Sequence, residues 1–133
     1  MATIGIEWVC NYHGLGDDLT SSCSCARGFF NTLDGVQEFE WSNDLAWDQD
    51  FEQTANDIAL VDAVDICYFC GHGNMEGIYF GVTEHDDGVA TPSDIRLGKQ
   101  QLAWIVFDSC EVLRHEGGTV LDRWSQVFNG LHY

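Results

Sequence analysis

The chain has 133 residues, of which 45% are hydrophobic and 13% aromatic, and it carries a net charge of −17. This size and apolar content are typical of one folded domain, so we expect residues 1–133 to form a single domain and exclude a disordered chain. Five basic residues against 22 acidic ones argue against nucleic acid as a partner, and no apolar stretch approaches the ~20 residues of a membrane span.

The first half of the chain is predicted to alternate strands with helices. Short apolar runs rich in β-branched residues indicate strands, and apolar residues at helical spacing indicate helices. In chain order we predict a strand over 3–10, a loop over 11–22, a helix over 23–33, a strand over 36–41 and a helix over 48–64.

The second half continues this alternation. We predict a strand over 65–70, a hairpin arm over 77–82, an acidic loop over 84–88, a helical turn over 91–94, a strand over 102–107 and a helix over 117–128. Such an order predicts an α/β fold with a mostly parallel sheet and helices on both faces. Residues 130–133 resemble the start of another strand, which would leave an unfinished sheet edge. We expect that edge to bind a second copy of the chain or a missing C-terminal subunit.

Two of the predicted strands end in residues that carry chemistry. The run DICYFC is followed by GHG, which places His72 directly after one strand, and LAWIVF is followed by DSC, which places Cys110 after another. In an open parallel sheet, groups just past the carboxyl ends of neighbouring strands share one crevice. A thiol and an imidazole in that crevice are the groups needed for nucleophilic acyl transfer.

This pair of motifs resembles the caspase-like cysteine peptidases, a group that includes caspases, metacaspases, legumains and gingipains. The sequence is nearest to metacaspases, whose histidine lies in Gly-His-Gly and whose cysteine commonly follows Asp-Ser. The resemblance implies a three-layer caspase-like domain acting as a cysteine endopeptidase on a peptide or protein substrate. It also implies that Cys110 is the nucleophile, that His72 is the general acid/base, and that the N–H groups of Gly73 and Cys110 form the oxyanion hole.

The same resemblance implies a substrate-binding role for three acidic residues. Asp108, two positions before the cysteine, would line the pocket for the residue preceding the cut, which favours Arg or Lys there because a carboxylate binds a guanidinium strongly. Asp17 or Asp18, after the first strand, would complete that pocket. A second hypothesis is a catalytically silent caspase-like module that binds or regulates a partner through its acidic face or its unfinished edge.

The six cysteines leave a third hypothesis, a small metal-binding protein. The amino terminus lacks the basic region of a signal peptide, so we expect a cytoplasmic location and no disulfides. Cys67 and Cys70 are expected to be small core residues on opposite faces of their strand. The residual candidates for a metal site are Cys10, His13, Cys23 and Cys25. His13 is also the second-ranked candidate for the catalytic histidine.

Two of the acidic loops are candidate binding sites for a cation, and the other acidic residues are expected to lie on the solvated surface. Ca²⁺ prefers carboxylate oxygens, and the loops at Asp17-Asp18 and Asp86-Asp87-Gly88 are candidates, although neither has the alternating spacing of a known calcium loop. No other cofactor is expected. The acidic run at 44–52 is expected to form a wetted face.

Overall fold

The computed structural model of the chain describes residues 1–53, 55–115 and 120–128. Its strands are β1 (Ala2–Trp8), β2 (Gly35–Ser42), β3 (Ile66–Cys70), β4 (Gly73–Asn74), β5 (Gly77–Tyr79), β6 (Val89–Ala90) and β7 (Trp104–Asp108). Its α-helices are α1 (Ser22–Thr32), α2 (Ala55–Ala59) and α3 (Val120–Trp124). Short 3₁₀ turns lie at Asn43–Leu45, Asp48–Asp50 and Val61–Ala63. The predicted α/β class is confirmed.

The main sheet has four strands in the order β2-β1-β3-β7, and every neighbouring pair is parallel. The predicted parallel sheet is therefore confirmed. Because β3 and β7 are neighbours, the segments that follow them leave the sheet side by side.

Each face of this sheet is covered by an apolar layer. Side chains alternate along β3, so Tyr68 and Cys70 pack with residues of α1, whereas Cys67 and Phe69 pack in the larger cluster on the other face. The larger cluster includes Trp124 of α3. Cys67 is fully buried and Cys70 is 7% exposed, which confirms the prediction that both are core residues on opposite faces.

The single helix predicted over 48–64 is wrong. The segment forms a 3₁₀ turn at Asp48–Asp50, the short helix α2 and a second 3₁₀ turn at Val61–Ala63. The side chain of Asp48 accepts the N–H of Gln49, and that of Asp50 accepts the N–H of Trp47. Aspartates that bind nearby backbone N–H groups in this way compete with helical hydrogen bonds and favour turns.

A second, smaller sheet follows β3. Its strands β4, β5 and β6 are antiparallel, and β5 lies within the predicted hairpin arm. Of the helix predicted over 117–128, α3 is present, while 117–119 lie outside the described residues, as do 130–133. None of the described helices has the length and apolar content needed to cross a membrane.

Candidate active site

The parallel pairing of β3 with β7 aligns the two predicted catalytic segments. Cys70 pairs with Asp108 at the carboxyl ends of these strands. One residue further on, the N–H of Gly71 donates to the carbonyl of Asp108 at 3.3 Å, which extends the pairing. His72 and Cys110 each lie two residues beyond the Cys70–Asp108 pair, so both follow the same edge of the sheet.

Gly73 packs closely against the cysteine segment. A Cβ atom at this position would lie 2.7 Å from Val112 Cγ2, 2.8 Å from Ser109 Cβ and 3.3 Å from the carbonyl oxygen of Cys110. Contacts shorter than 3.0 Å require a neighbouring atom to shift. The histidine and cysteine segments are thus in van der Waals contact, and their approach depends on the missing side chain of Gly73.

The His72 imidazole is oriented by the loop that follows β1. Its Nε2 lies 2.6 Å from the carbonyl oxygen of Asp17. A carbonyl oxygen only accepts, so Nε2 carries the hydrogen and Nδ1 is the ring nitrogen left to act as a base in the neutral form. The backbone N–H of His72 donates to the hydroxyl of Tyr12 at 2.6 Å, and the two rings lie 4.5 Å apart. Burial raises the pKa of Tyr12 to about 12.

Two cavities flank the contact between Gly73 and Ser109. One, of about 440 Å³, is lined by His72, Gly73 and residues of the loops after β1 and β5. The other, of about 610 Å³, is lined by Ser109, Glu111 and residues of β7.

Cys110 lies in a turn with a strained backbone. Its side chain is exposed, and the next residue, Glu111, has a φ of 55°, in the left-handed region that few non-glycine residues occupy. The N–H of Arg114 donates to the carbonyl of Glu111, and the guanidinium of Arg114 lies 2.9 Å from the carboxylate of Glu111. Strained residues of this kind cluster at functional sites and cost about 1–3 kcal/mol each.

The three acidic residues expected to line one pocket make separate contacts. Asp108 accepts a hydrogen bond from the hydroxyl of Tyr68 at 2.5 Å on the side of the sheet covered by α1. Asp17 lines the cavity beside His72. The carboxylate of Asp18 accepts the backbone N–H of residue 12, so it orders the loop that carries Asp17.

The predicted cysteine and histidine metal site is not assembled as a set in the described residues. The set comprised Cys10, His13, Cys23 and Cys25. His13 instead lies 2.6 Å from the carboxylate of Asp44, and it faces a different cavity from His72. Cys25 groups with Cys70 and Asp108, whose ligand atoms all lie within 4.8 Å of one another. Burial raises the pKa of the Cys70 thiol to about 12.

The acidic loop after β5 lies beside buried carboxylates. Oxygens of Asp86, Asp87 and Asp48 lie within 4.8 Å of one another, an arrangement that could hold a hard cation. Asp48 and Asp50 are each 1% exposed and Glu52 is 8% exposed, so the wetted face expected over 44–52 is wrong at these residues. Burial raises the pKa of Asp50 to about 6 and that of Glu52 to about 7.

The comparison with protein families gives one match. Residues 6–133 match the model of a domain of unknown function, DUF6345. The chain belongs to the DUF6345 family. No curated protein and no solved structure matches it.

Proposed function

We propose that this DUF6345 chain is a caspase-like cysteine endopeptidase with a three-layer fold, a His72–Cys110 dyad and a preference for cleavage after Arg or Lys. The observation that carries the proposal is the alignment of β3 with β7, which places both residues two positions beyond one strand pair. The packing of Gly73 against Ser109 and the Cys110 carbonyl supports it further.

In the proposed reaction, the sulfur of Cys110 attacks the carbonyl carbon of the scissile peptide bond. Nδ1 of His72 accepts the thiol proton and delivers it to the leaving amine, which breaks the C–N bond and leaves a thioester on Cys110. The hydrogen bond from Nε2 to the Asp17 carbonyl holds the ring in the required tautomer. His72 then takes a proton from water as the water oxygen bonds to the thioester carbon. The C–S bond breaks, the carboxylic acid leaves, and His72 returns the proton to the sulfur of Cys110.

The remaining roles follow from the backbone and from Asp108. The N–H groups of Gly73 and Cys110 stabilise the negative charge that develops on the carbonyl oxygen. Asp108 provides the carboxylate that binds the basic side chain before the cut, since charge-assisted hydrogen bonds to a guanidinium are strong. We propose that the protein acts in the cytoplasm, where thiols such as the exposed Cys110 stay reduced.

The proposal is tested with fluorogenic peptides that carry Arg, Lys, Asn or Asp before the reporter, assayed with and without Ca²⁺ and at low and high salt. We expect turnover of the Arg and Lys peptides, and its loss in Cys110→Ala and His72→Ala. Asp108→Asn should lower kcat/KM for the Arg peptide more than about tenfold. Cys23→Ser, which removes a partly buried thiol from α1, is the matched control and should retain activity.

Circular dichroism and thermal unfolding establish that each variant is folded before its rate is compared. Turnover that persists in folded Cys110→Ala rejects the nucleophile, and so does selective alkylation of another cysteine by a peptide-based inhibitor. An absence of turnover with every peptide and condition rejects the peptidase proposal itself.

The exposed edge of the main sheet favours a second function, that of a binding module. In the described residues β7 pairs with β3 alone, and Trp104 and Val106 on it are 62% and 37% exposed. Exposed apolar residues on an unpaired strand favour association with another chain. A concentration-dependent dimer in analytical ultracentrifugation, together with no peptide turnover, would favour this function over the peptidase.

A further inference from the structure

Three side chains with metal-binding atoms converge on the face of the sheet that α1 covers. Cys25 comes from α1, Cys70 from the end of β3 and Asp108 from the end of β7. Their sulfur and carboxylate oxygen atoms all lie within 4.8 Å of one another. Because the three residues belong to three different elements, the packing of α1 on the sheet brings them together.

The spacing of two of these atoms fits a tetrahedral metal site. The Cys70 thiol donates a hydrogen bond to Asp108 Oδ2 at 3.6 Å, and a bound cation would replace the shared hydrogen. A zinc ion with bonds of ~2.3 Å to sulfur and ~2.0 Å to oxygen separates those two ligands by about 3.5 Å at the tetrahedral angle. This pair of ligands therefore already has the required separation, and Cys25 Sγ lies within 4.8 Å of both.

Neighbouring groups hold two of the ligands in place and leave the third accessible. The hydroxyl of Tyr68 donates to Asp108 at 2.5 Å, and the side chain of Ser22 hydrogen-bonds to Cys70. Outer groups that orient ligands in this way are a regular feature of metal sites. Cys25 is exposed while Cys70 is buried, so an ion can enter from the solvent side of α1.

We propose that Cys25, Cys70 and Asp108 form a binding site for a thiophilic divalent cation of the zinc class. Two sulfur ligands favour such an ion over Ca²⁺ or Mg²⁺, which prefer sites made of oxygen atoms. Binding releases the two thiol protons to solvent and leaves the fourth coordination position to water. The site uses neither Cys110 nor His72, but it shares Asp108 with the proposed substrate pocket, so a bound cation would compete with a basic substrate side chain for that carboxylate.

The test uses the full chain, reduced and stripped of metal, with Co²⁺ as a spectroscopic probe and Zn²⁺ as competitor. We expect one Co²⁺ per chain, intense visible absorption of a tetrahedral complex, near-ultraviolet bands from thiolate ligands, and loss of both signals when Zn²⁺ is added. Cys25→Ser should weaken binding more than about 100-fold, and Asp108→Asn more than about tenfold. Cys25 is exposed, so its substitution should leave the fold intact.

Two cysteines serve as controls. Cys23→Ser removes a thiol two residues away on the same helix, and Cys110→Ser removes an exposed thiol two residues beyond Asp108. Both variants should bind Co²⁺ within about twofold of the wild-type affinity. The proposal is overturned if the thiolate bands are absent, if Cys25→Ser binds as tightly as wild type, or if either control loses binding to the same extent.

Discussion

Replacing Glu7 by glutamine should remove a pH dependence from the stability of this protein. Glu7 lies in β1 and is fully buried, and in the described part of the chain neither carboxylate oxygen has a hydrogen-bond partner. Burial and the nearby charge of Asp50 raise the pKa of Glu7 well above its ordinary value of 4.5. The carboxyl group is therefore protonated in the folded protein at pH values where the unfolded chain has released the proton.

The sign and size of the effect follow from this difference. The pKa of Glu7 is higher in the folded state than in the unfolded state, so above pH 4.5 the folded protein holds a proton on Glu7 that the unfolded chain has released. The contribution of Glu7 to the free energy of unfolding is therefore fully present below that pH and is lost as the pH rises toward the folded-state pKa. One proton changes the free energy of unfolding by about 1.4 kcal/mol per pH unit. Between pH 5 and pH 7 wild type should thus lose stability that the Glu7→Gln variant keeps, by at most about 1.4 kcal/mol for each pH unit below the folded-state pKa.

Urea unfolding followed by tryptophan fluorescence at half-unit steps from pH 5 to pH 7.5 measures the difference. EDTA and constant ionic strength exclude cation effects. The exposed Glu38 on the neighbouring strand β2 provides a control for the loss of one negative charge, and Glu38→Gln should change stability by less than about 0.5 kcal/mol. Equal pH slopes for wild type and Glu7→Gln would refute the reasoning, because they would mean that Glu7 binds no extra proton in the folded state.

Two further substitutions test the packing that positions the site. Gly73→Ala should lower the free energy of unfolding by about 1–3 kcal/mol and reduce any peptidase activity, because its Cβ would overlap Ser109. Gly28→Ala is the control: the added carbon has nothing within 4 Å, so this variant should be neutral or stabilising in urea unfolding. Asp62→Asn should destabilise by about 2 kcal/mol in the same assay, because the buried carboxylate accepts the N–H groups of residues 98–100 before β7. A change below about 0.5 kcal/mol in Gly73→Ala or Asp62→Asn would contradict the contact it tests.

The strands of the main sheet were predictable because burial on both faces demands a continuous apolar run. Residues 66–70 satisfy that demand, whereas 104–108 form an edge strand with Trp104 and Val106 exposed on one face. The parallel pairing of these two strands followed from the predicted alternation with helices. The helix prediction over 48–64 was wrong because it relied on the helical spacing of the apolar residues. The first aspartates of this segment bind the local backbone instead, and that competition is not visible in the spacing of apolar residues.

The candidate site was predictable only in part. The positions of His72 and Cys110 followed from the strand ends, whereas the partner of the His72 ring is a backbone carbonyl. Every residue has a carbonyl group, so no side chain in the sequence indicates that contact. Cys25 was expected beside Cys23 in a metal site. The turn of α1 places it near Cys70 instead, a contact between elements that are 45 residues apart, 70 − 25.

Asp108 belongs to both proposals, and Cys25 and Cys110 allow the two to be separated because each belongs to only one of them. Its carboxylate faces α1 together with Cys70 and Cys25, while the segment after it carries Cys110 around the sheet edge toward Gly73. Asp108→Asn should therefore impair both metal binding and the use of basic substrates. Cys25→Ser should impair metal binding alone and Cys110→Ala turnover alone, so the failure of one proposal leaves the other intact.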